Sequence, residues 1–131
     1  MRDNGLMNTS TLPRRTELAP VTVLLVAAPY RLQDLGRHLS PGWLVVRPSQ
    51  AEGAGTEPDI VVLDDADPRA VTGVCLRYPA AGLVALLSPS SDHNRVVEVL
   101  NAGADACVRS DDTAILAAHV EACHRRQEYA A

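Results

Sequence analysis

Five short apolar runs, separated by segments of a different periodicity, constrain the fold of this chain most strongly. Continuous runs of this length, rich in β-branched residues, are typical of parallel strands that are covered on both faces. Five strands alternating with four or five helices predict a single-domain α/β fold, a doubly wound parallel sheet with right-handed crossovers. The runs cover residues 21–26, 43–46, 60–63, 83–87 and 106–108.

The first two segments between the runs differ in their helix signals. Leu32, Leu35 and Leu39 fall at helical spacing after Pro29 and predict a first helix that stops at Ser40-Pro41-Gly42. Residues 47–58 hold proline, serine and glycine with few large apolar residues. They predict one short helical turn at best.

Three stronger helices follow. The first spans Pro68 to about Tyr78, with proline at its first turn. The second begins near Asp92 and ends at Gly103, where a left-handed cap is needed. The last is capped by Asp111 or Asp112 and ends at Arg125-Arg126.

Length and charge limit the classes of function. A chain of 131 residues is a natural size for one domain. The net charge of -4 argues against direct nucleic-acid binding, which needs clustered positive charge. All 12 basic residues are arginine, so chemistry that requires lysine is excluded.

Cysteine usage and the first residues indicate a cellular compartment. Cys75, Cys107 and Cys123 form no C-x-x-C pair, which favours a reducing cytoplasm. Residues 1–20 lack a continuous apolar block and are interpreted as a disordered leader before a domain spanning 21–129. No apolar stretch approaches the ~20 residues that span a bilayer, so no membrane partner is expected.

In a doubly wound sheet, ligand sites collect at the carboxyl ends of the strands. The residues at those ends are Ala27 and Ala28 after the first strand, Asp64 and Asp65 after the third, Ser88 after the fourth, and Arg109 and Ser110 after the fifth.

Two segments carry a resemblance to a known family. They are Pro58-Asp59-Ile60-Val61-Val62-Leu63-Asp64, and Leu87-Ser88 through Asn101-Ala102-Gly103-Ala104-Asp105. In this order and spacing they resemble the receiver domain of bacterial two-component response regulators, over about residues 21–126. The resemblance implies a flavodoxin-like sheet with strand order 2-1-3-4-5.

The resemblance also implies roles for individual positions. Asp64 matches the phosphoacceptor, and Ser88 matches the hydroxyl that contacts the phosphoryl oxygens. Ala27 and Ala28 stand where the family has the acidic pair that helps to hold Mg²⁺. Ser110 stands at the position of the phosphate-contacting lysine, with Arg109 beside it on the opposite strand face. Cys107 stands in place of the switch aromatic.

These departures predict a degenerate, phosphorylation-independent pseudo-receiver rather than an enzyme. It would act in signal transduction or transcriptional regulation through a protein partner, and a second copy of the chain, as a homodimer, is one candidate. No cofactor is expected. Two alternatives stay open: a conventional receiver that is still phosphorylated at Asp64 with Mg²⁺, and a small-molecule sensor that uses the cavity left by Ala27, Ala28 and Ser110.

The resemblance places the interaction face on the last strand and the two helices beside it. Its matching positions are Arg95, Glu98, Asn101, Asp105, Arg109, Glu121 and Arg125. Their mixed charges could form ion pairs across a two-fold axis, although a solvated helix surface explains them equally well.

Three further features have mainly structural interpretations. Asp65 and Asp67 are expected to be solvated loop acids, with a weak cation site beside Asp64 as the alternative. His119 and Cys123 are four residues apart, a spacing that can hold zinc, but core packing is expected. Trp43 is expected to anchor the start of the second strand.

Overall fold

The computed structural model describes residues 20–54 and 57–130. Five parallel strands form one sheet in the order β2-β1-β3-β4-β5. The predicted doubly wound α/β fold is therefore confirmed, together with its flavodoxin-like strand order. The strands are β1 (Thr22–Val26), β2 (Leu44–Val46), β3 (Ile60–Asp64), β4 (Gly82–Leu87) and β5 (Ala106–Arg109). The predicted leader lies outside the described residues, except for Pro20.

Helices cover both faces of this sheet. The helices are α1 (Pro48–Ala54), α2 (Pro68–Arg77), α3 (His93–Ala102) and α4 (Thr113–Ala130), and a 3-10 helix spans Leu35–His38. The 3-10 helix and α4 cover one face, and α1, α2 and α3 cover the other. Among the described residues, none of these helices has the length and apolar character needed to cross a membrane.

Alternate strand residues build two separate cores. Val23 and Leu25 of β1 pack toward α4, whereas Leu24 between them packs toward α1 and α2. All six residues of β4 are buried, because this strand has neighbours on both sides and helices on both faces. The continuous apolar runs of the sequence arise from this two-sided burial.

The predicted first helix is wrong, although its leucines are in the core. Leu35 and Leu39 are buried, but only a short 3-10 helix forms around them. Leu32 adopts a φ of 60°, which interrupts helical geometry. The carbonyl oxygen of Arg31 accepts a hydrogen bond from the Arg47 side chain, and the amide of Leu35 binds the carbonyl of Leu32 instead. A distant side chain thus occupies an acceptor that an α-helix would need.

Two other helices are longer than predicted. The segment after β2 forms the seven-residue helix α1 where one turn at best was expected. The last helix, α4, continues beyond Arg125-Arg126 and ends at Ala130. Its start agrees with the prediction, since Oδ1 of Asp112 accepts a hydrogen bond from the amide of Ala114 at 2.9 Å.

Gly103 ends α3 at a close approach to α2. Its φ is 131°, and a Cβ atom added there would lie 2.8 Å from Sγ of Cys75. The Cys75 thiol also donates to the carbonyl oxygen of Gly103 at 3.6 Å. Only glycine satisfies both the backbone conformation and the contact.

We expect Gly103→Ala to lower the free energy of unfolding by about 1–3 kcal/mol, because it combines backbone strain with a steric clash. Gly73→Ala is the matched control, since Gly73 lies inside α2 with nothing within 4 Å of an added Cβ. It should raise stability by about 0.5–1 kcal/mol through helix propensity. Urea denaturation measures both changes, and an equal effect of the two substitutions would contradict this account.

Candidate functional site at the carboxyl edge of the sheet

The carboxyl ends of β1, β3, β4 and β5 surround an open cleft of about 660 Å³. This carboxyl edge brings together the residues that the sequence placed at the strand ends, except Arg109. The lining includes Ala27, Ala28, Tyr30, Arg31, Asp64, Asp65, Ser88, Ser110 and Asp111. The volume falls in the range of small-molecule sites.

Asp64 is bound by an arginine. Nε of Arg31 donates to Oδ2 of Asp64 at 2.8 Å, and Nη2 donates to Oδ1 at 2.9 Å. The carboxylate side chain is only 10% exposed, whereas that of Arg31 is 47% exposed. The hydrogen bond to Asp64, followed by the Coulomb attraction of the carboxylate, raises the pKa of Arg31. Both oxygens of Asp64 are thus engaged by one permanently charged, planar partner.

The loop that carries Arg31 is shaped by a second arginine. Nη1 of Arg47 donates to the carbonyl oxygens of Ala27 at 3.2 Å and Ala28 at 3.0 Å, and Nη2 donates to that of Arg31 at 2.9 Å. Arg47 follows β2, which lies beside β1 in the sheet. Its guanidinium therefore satisfies the backbone of a loop that has no regular helix of its own.

Two more arginines continue this pattern toward the other side of the sheet. Nη1 of Arg95, from α3, donates to the carbonyl oxygen of Ala66 after β3 at 3.4 Å. Nη1 of Arg109, at the end of β5, donates to the carbonyl oxygen of Ser91 after β4 at 2.9 Å. With Arg31 and Arg47 they form four arginine ties, each of which joins residues at or beyond the carboxyl ends of two strands that are neighbours in the sheet.

The residues at the carboxyl edge do not fit the Mg²⁺ of the resembled family. Ala27 and Ala28 offer methyl groups where a hard cation requires oxygen ligands. Both oxygens of Asp64 already accept hydrogen bonds from Arg31. The suggested alternative ligand Asp67 instead caps α2, because its Oδ1 accepts from the amide of Ala70 at 2.9 Å. Within the described part of the chain, no group of three or more acidic, histidine or cysteine side chains could hold a metal ion.

The two serines of the site have local partners. The hydroxyl of Ser88 lies 2.9 Å from that of Ser90 and also accepts from the amide of Ser90 at 3.2 Å. The hydroxyl of Ser110 accepts from the amide of Asp112 at 2.9 Å. Both side chains therefore order the turn that follows their strand, and Ser110 leads into the cap of α4.

Cys107 is packed at the edge of the core rather than in the cleft. It contacts the cluster shared by α2 and α3 and is half-buried. Burial raises the pKa of its thiol, partly offset by the positive charge of Arg109. Burial also raises the pKa of Cys75 and of Cys123. All three thiols are free and, with raised pKa values, are held in the protonated, less nucleophilic form at neutral pH.

The seven residues assigned to the interaction face have different partners in the structure. Oε2 of Glu121 binds the amide of Ser40 at 2.6 Å, and Arg125 lines a separate pocket at the opposite edge of the sheet. Oδ2 of Asp105 accepts from the amide of Leu83 at 2.8 Å. Arg95 and Arg109 belong to the arginine ties, Glu98 is exposed and forms an ion pair with Arg95 at 3.7 Å, and Asn101 is exposed.

His119 and Cys123 do not form the suggested zinc pair. His119 is exposed on α4, whereas Cys123 is only 2% exposed and belongs to the core. The expectation of core packing therefore holds for Cys123 alone. Trp43 packs at the start of β2, as expected.

Arg31 and Arg47 are the residues of this site that the sequence interpretation missed. One signal could have indicated a partner of this kind. A largely buried carboxylate needs a cation or several hydrogen-bond donors, and the family's metal-binding groups and lysine are absent here. Because the chain contains no lysine, an arginine was the expected cation. Which arginine reaches Asp64 depends on the irregular loop after β1, and that loop has no sequence pattern that predicts its conformation.

Solved structures that match this arrangement of strands and helices include receiver domains of response regulators. One is the signal receiver domain of an HD domain-containing protein from Pseudomonas fluorescens Pf-5. It matches with a TM-score of 0.67 and 20% sequence identity, and the match covers 92% of this chain and 94% of that domain. A response regulator from Thermotoga maritima matches with a TM-score of 0.66 and 15% sequence identity, and the match covers 81% of this chain and 98% of that protein. The chain has the receiver-domain fold.

An orphan response regulator of H. pylori has the same receiver fold, with a TM-score of 0.60, 17% identity, and coverage of 80% of this chain and 97% of its own. Sequence comparison adds nothing to this, since neither a family model nor a curated protein sequence matches the chain. At these sequence identities the comparison establishes the fold alone. What the site can do chemically has to be argued from the residues of this chain.

We expect the Arg31–Asp64 pair to have a coupling energy of about 1 kcal/mol in a double-mutant cycle, because it is bidentate and one partner is largely buried. The cycle uses Arg31→Ala, Asp64→Ala and the double variant, with unfolding in urea as the measurement. Arg37→Ala combined with Asp64→Ala is the control, since Arg37 is an exposed arginine of the 3-10 helix. The changes in unfolding free energy of these two control substitutions should add. If the changes of Arg31→Ala and Asp64→Ala also add, the predicted coupling is contradicted.

Proposed function

We propose that this chain is a phosphorylation-independent receiver that acts in signal transduction through protein contacts, including contacts with a second copy of itself. The observation that carries the proposal is the bidentate binding of Asp64 by Arg31 in a site with alanines at positions 27 and 28. Receiver-fold relatives described as response regulators support the signalling role.

The chemistry of phosphoryl transfer supports independence from phosphorylation. An attacking carboxylate needs a free oxygen and a metal that neutralises the developing charge. In this site the hydrogen bonds between Arg31 and both oxygens of Asp64 must first break. Alanines occupy the two positions at which the family has the acidic pair that holds the metal. A catalytic metal contributes several kcal/mol, and each ~1.4 kcal/mol is a factor of ten in rate. The expected rate of phosphorylation is therefore orders of magnitude lower.

The four arginine ties support a single constitutive conformation. They join the loops after β1, β3 and β4 to their neighbours by direct hydrogen bonds. The arginine ties hold these loops in one arrangement, a role that a metal and a phosphoryl group would otherwise have to fill. A receiver held in this way can present its binding surface without an input signal at Asp64.

Apolar side chains beside β5 support a protein-binding role. β5 is an edge strand, and both α3 and α4 contact it. Val97 and Leu100 on α3 are 46% and 41% exposed, and Ile115 on α4 is 46% exposed. Exposed apolar residues next to an open strand edge are typical of an interaction surface.

Mg²⁺ with beryllofluoride, a phosphoryl analogue, should leave the amide NMR signals of Ser88 and Ser110 unchanged in the wild-type protein. A variant carrying Ala27→Asp, Ala28→Asp and Arg31→Ala should gain a saturable shift, because it regains oxygen ligands and frees Asp64. The matched control carries the two aspartates but keeps Arg31, and it should respond more weakly. Saturable shifts in the wild type would favour the conventional, phosphorylatable receiver instead.

Light scattering after size exclusion should give a dimer mass for the wild type, unchanged by Asp64→Ala or beryllofluoride. Leu100→Asp and Ile115→Asp should each weaken the dimer by roughly tenfold or more, because they place a charge in an apolar interface. Leu76→Asp is the control, since Leu76 is 78% exposed on α2. A monomeric wild type, or equal effects of all three substitutions, would contradict self-association through this surface.

A further inference from the structure

A second cavity lies at the amino edge of the sheet, opposite the cleft that contains Asp64. It has a volume of about 410 Å³ and is bounded by Val21, the turn at Ser40 to Gly42, Trp43 and one side of α4. Glu121, His124, Arg125 and Glu128 face it from α4. The volume is sufficient for a small ligand. We call this cavity the Trp43 pocket.

The clearest sign of recognition in the Trp43 pocket is His124. Its side chain lines the pocket, yet the residue is only 7% exposed. The imidazole meets the Trp43 ring edge to face, with the ring centres 5.2 Å apart. Within residues 20–54 and 57–130, neither ring nitrogen of His124 has a hydrogen-bond partner. Buried polar groups without a partner are rare and costly, so a ligand that supplies one gains affinity.

The charges around His124 indicate the class of ligand. Oε2 of Glu121 accepts from the amide of Ser40 at 2.6 Å and from its hydroxyl at 3.0 Å, and these neutral donors leave the carboxylate charge uncompensated. Glu128 is exposed and, like Glu121, forms no ion pair with a described residue. Two carboxylates against the single guanidinium of Arg125 favour a cation.

The aromatic wall favours the same class. The face of an indole ring attracts an ammonium or guanidinium group, and an adjacent carboxylate strengthens that attraction. We propose that the Trp43 pocket binds an organic cation, with Trp43 against the cation, Glu128 as its counter-charge and a nitrogen of His124 as a hydrogen-bond acceptor. This site is independent of Asp64, and of the self-association proposed above.

The only tryptophan of the chain lies in this pocket and reports on it directly. Titrating the full-length protein with methylguanidinium chloride should change Trp43 fluorescence in a saturable way, with a Kd on the order of 1 mM for so small a ligand. Sodium chloride at equal ionic strength should leave the Trp43 fluorescence unchanged. A short peptide with blocked termini, whose only charged group is one arginine side chain, is the second ligand to be titrated. Tighter binding of this peptide identifies a protein side chain as the source of the cation, and equal binding identifies a free small molecule.

Variants separate this site from general charge effects. Glu128→Gln should raise Kd roughly tenfold because it removes the counter-charge. Glu98→Gln, the same change on α3, should leave Kd unaltered. His124→Phe keeps an aromatic ring without the acceptor and should also weaken binding, with thermal unfolding showing that the fold persists. Absence of a saturable signal, equal Kd for Glu128→Gln and wild type, or binding of acetate in place of methylguanidinium would overturn the proposal.

Discussion

The ion pair between Arg31 and Asp64 determines what the carboxyl edge can do. Asp64 ends the central strand β3, where a largely buried carboxylate must be neutralised or surrounded by donors. In the resembled family that requirement is linked to a bound metal and a lysine. Here a guanidinium from the loop after β1 satisfies both oxygens. Removing Arg31 would leave the charge without its partner, so the two residues have to be interpreted together.

Arg31 in turn depends on the loop that carries it. Leu32 has a positive φ, and Arg47 holds three carbonyl oxygens of the same loop. These contacts prevent the helix that the leucine spacing predicts. They also place the Arg31 side chain over the end of β3. The missing first helix and the neutralised carboxylate are therefore two consequences of one local conformation.

The strands and the position of Asp64 could be predicted from the sequence, because both depend on patterns that are local in the chain. Two-sided burial makes the strands continuous apolar runs, and parallel topology brings their carboxyl ends to one edge. Arg31 and Arg47 could not be placed in the same way. Each acts across the sheet on a residue at least 16 positions away, through a loop with no periodicity. The contact of Glu121 with Ser40 could not be predicted for a related reason, since helix spacing alone did not show that Glu121 lies beside the turn before β2.

A two-state switch requires two arrangements of similar free energy, and the arginine ties work against that condition. Moving an equilibrium from 1:99 to 99:1 requires about 5.5 kcal/mol of differential binding. If the second arrangement also breaks several of the four ties, each adds about 1 kcal/mol to that requirement. In the resembled family, a metal and a phosphoryl group supply such differential contacts, but here alanines stand at positions 27 and 28 and Arg31 binds both oxygens of Asp64. Recognition that requires no rearrangement, by preformed surfaces such as β5 with its flanking helices or the Trp43 pocket, avoids this cost altogether.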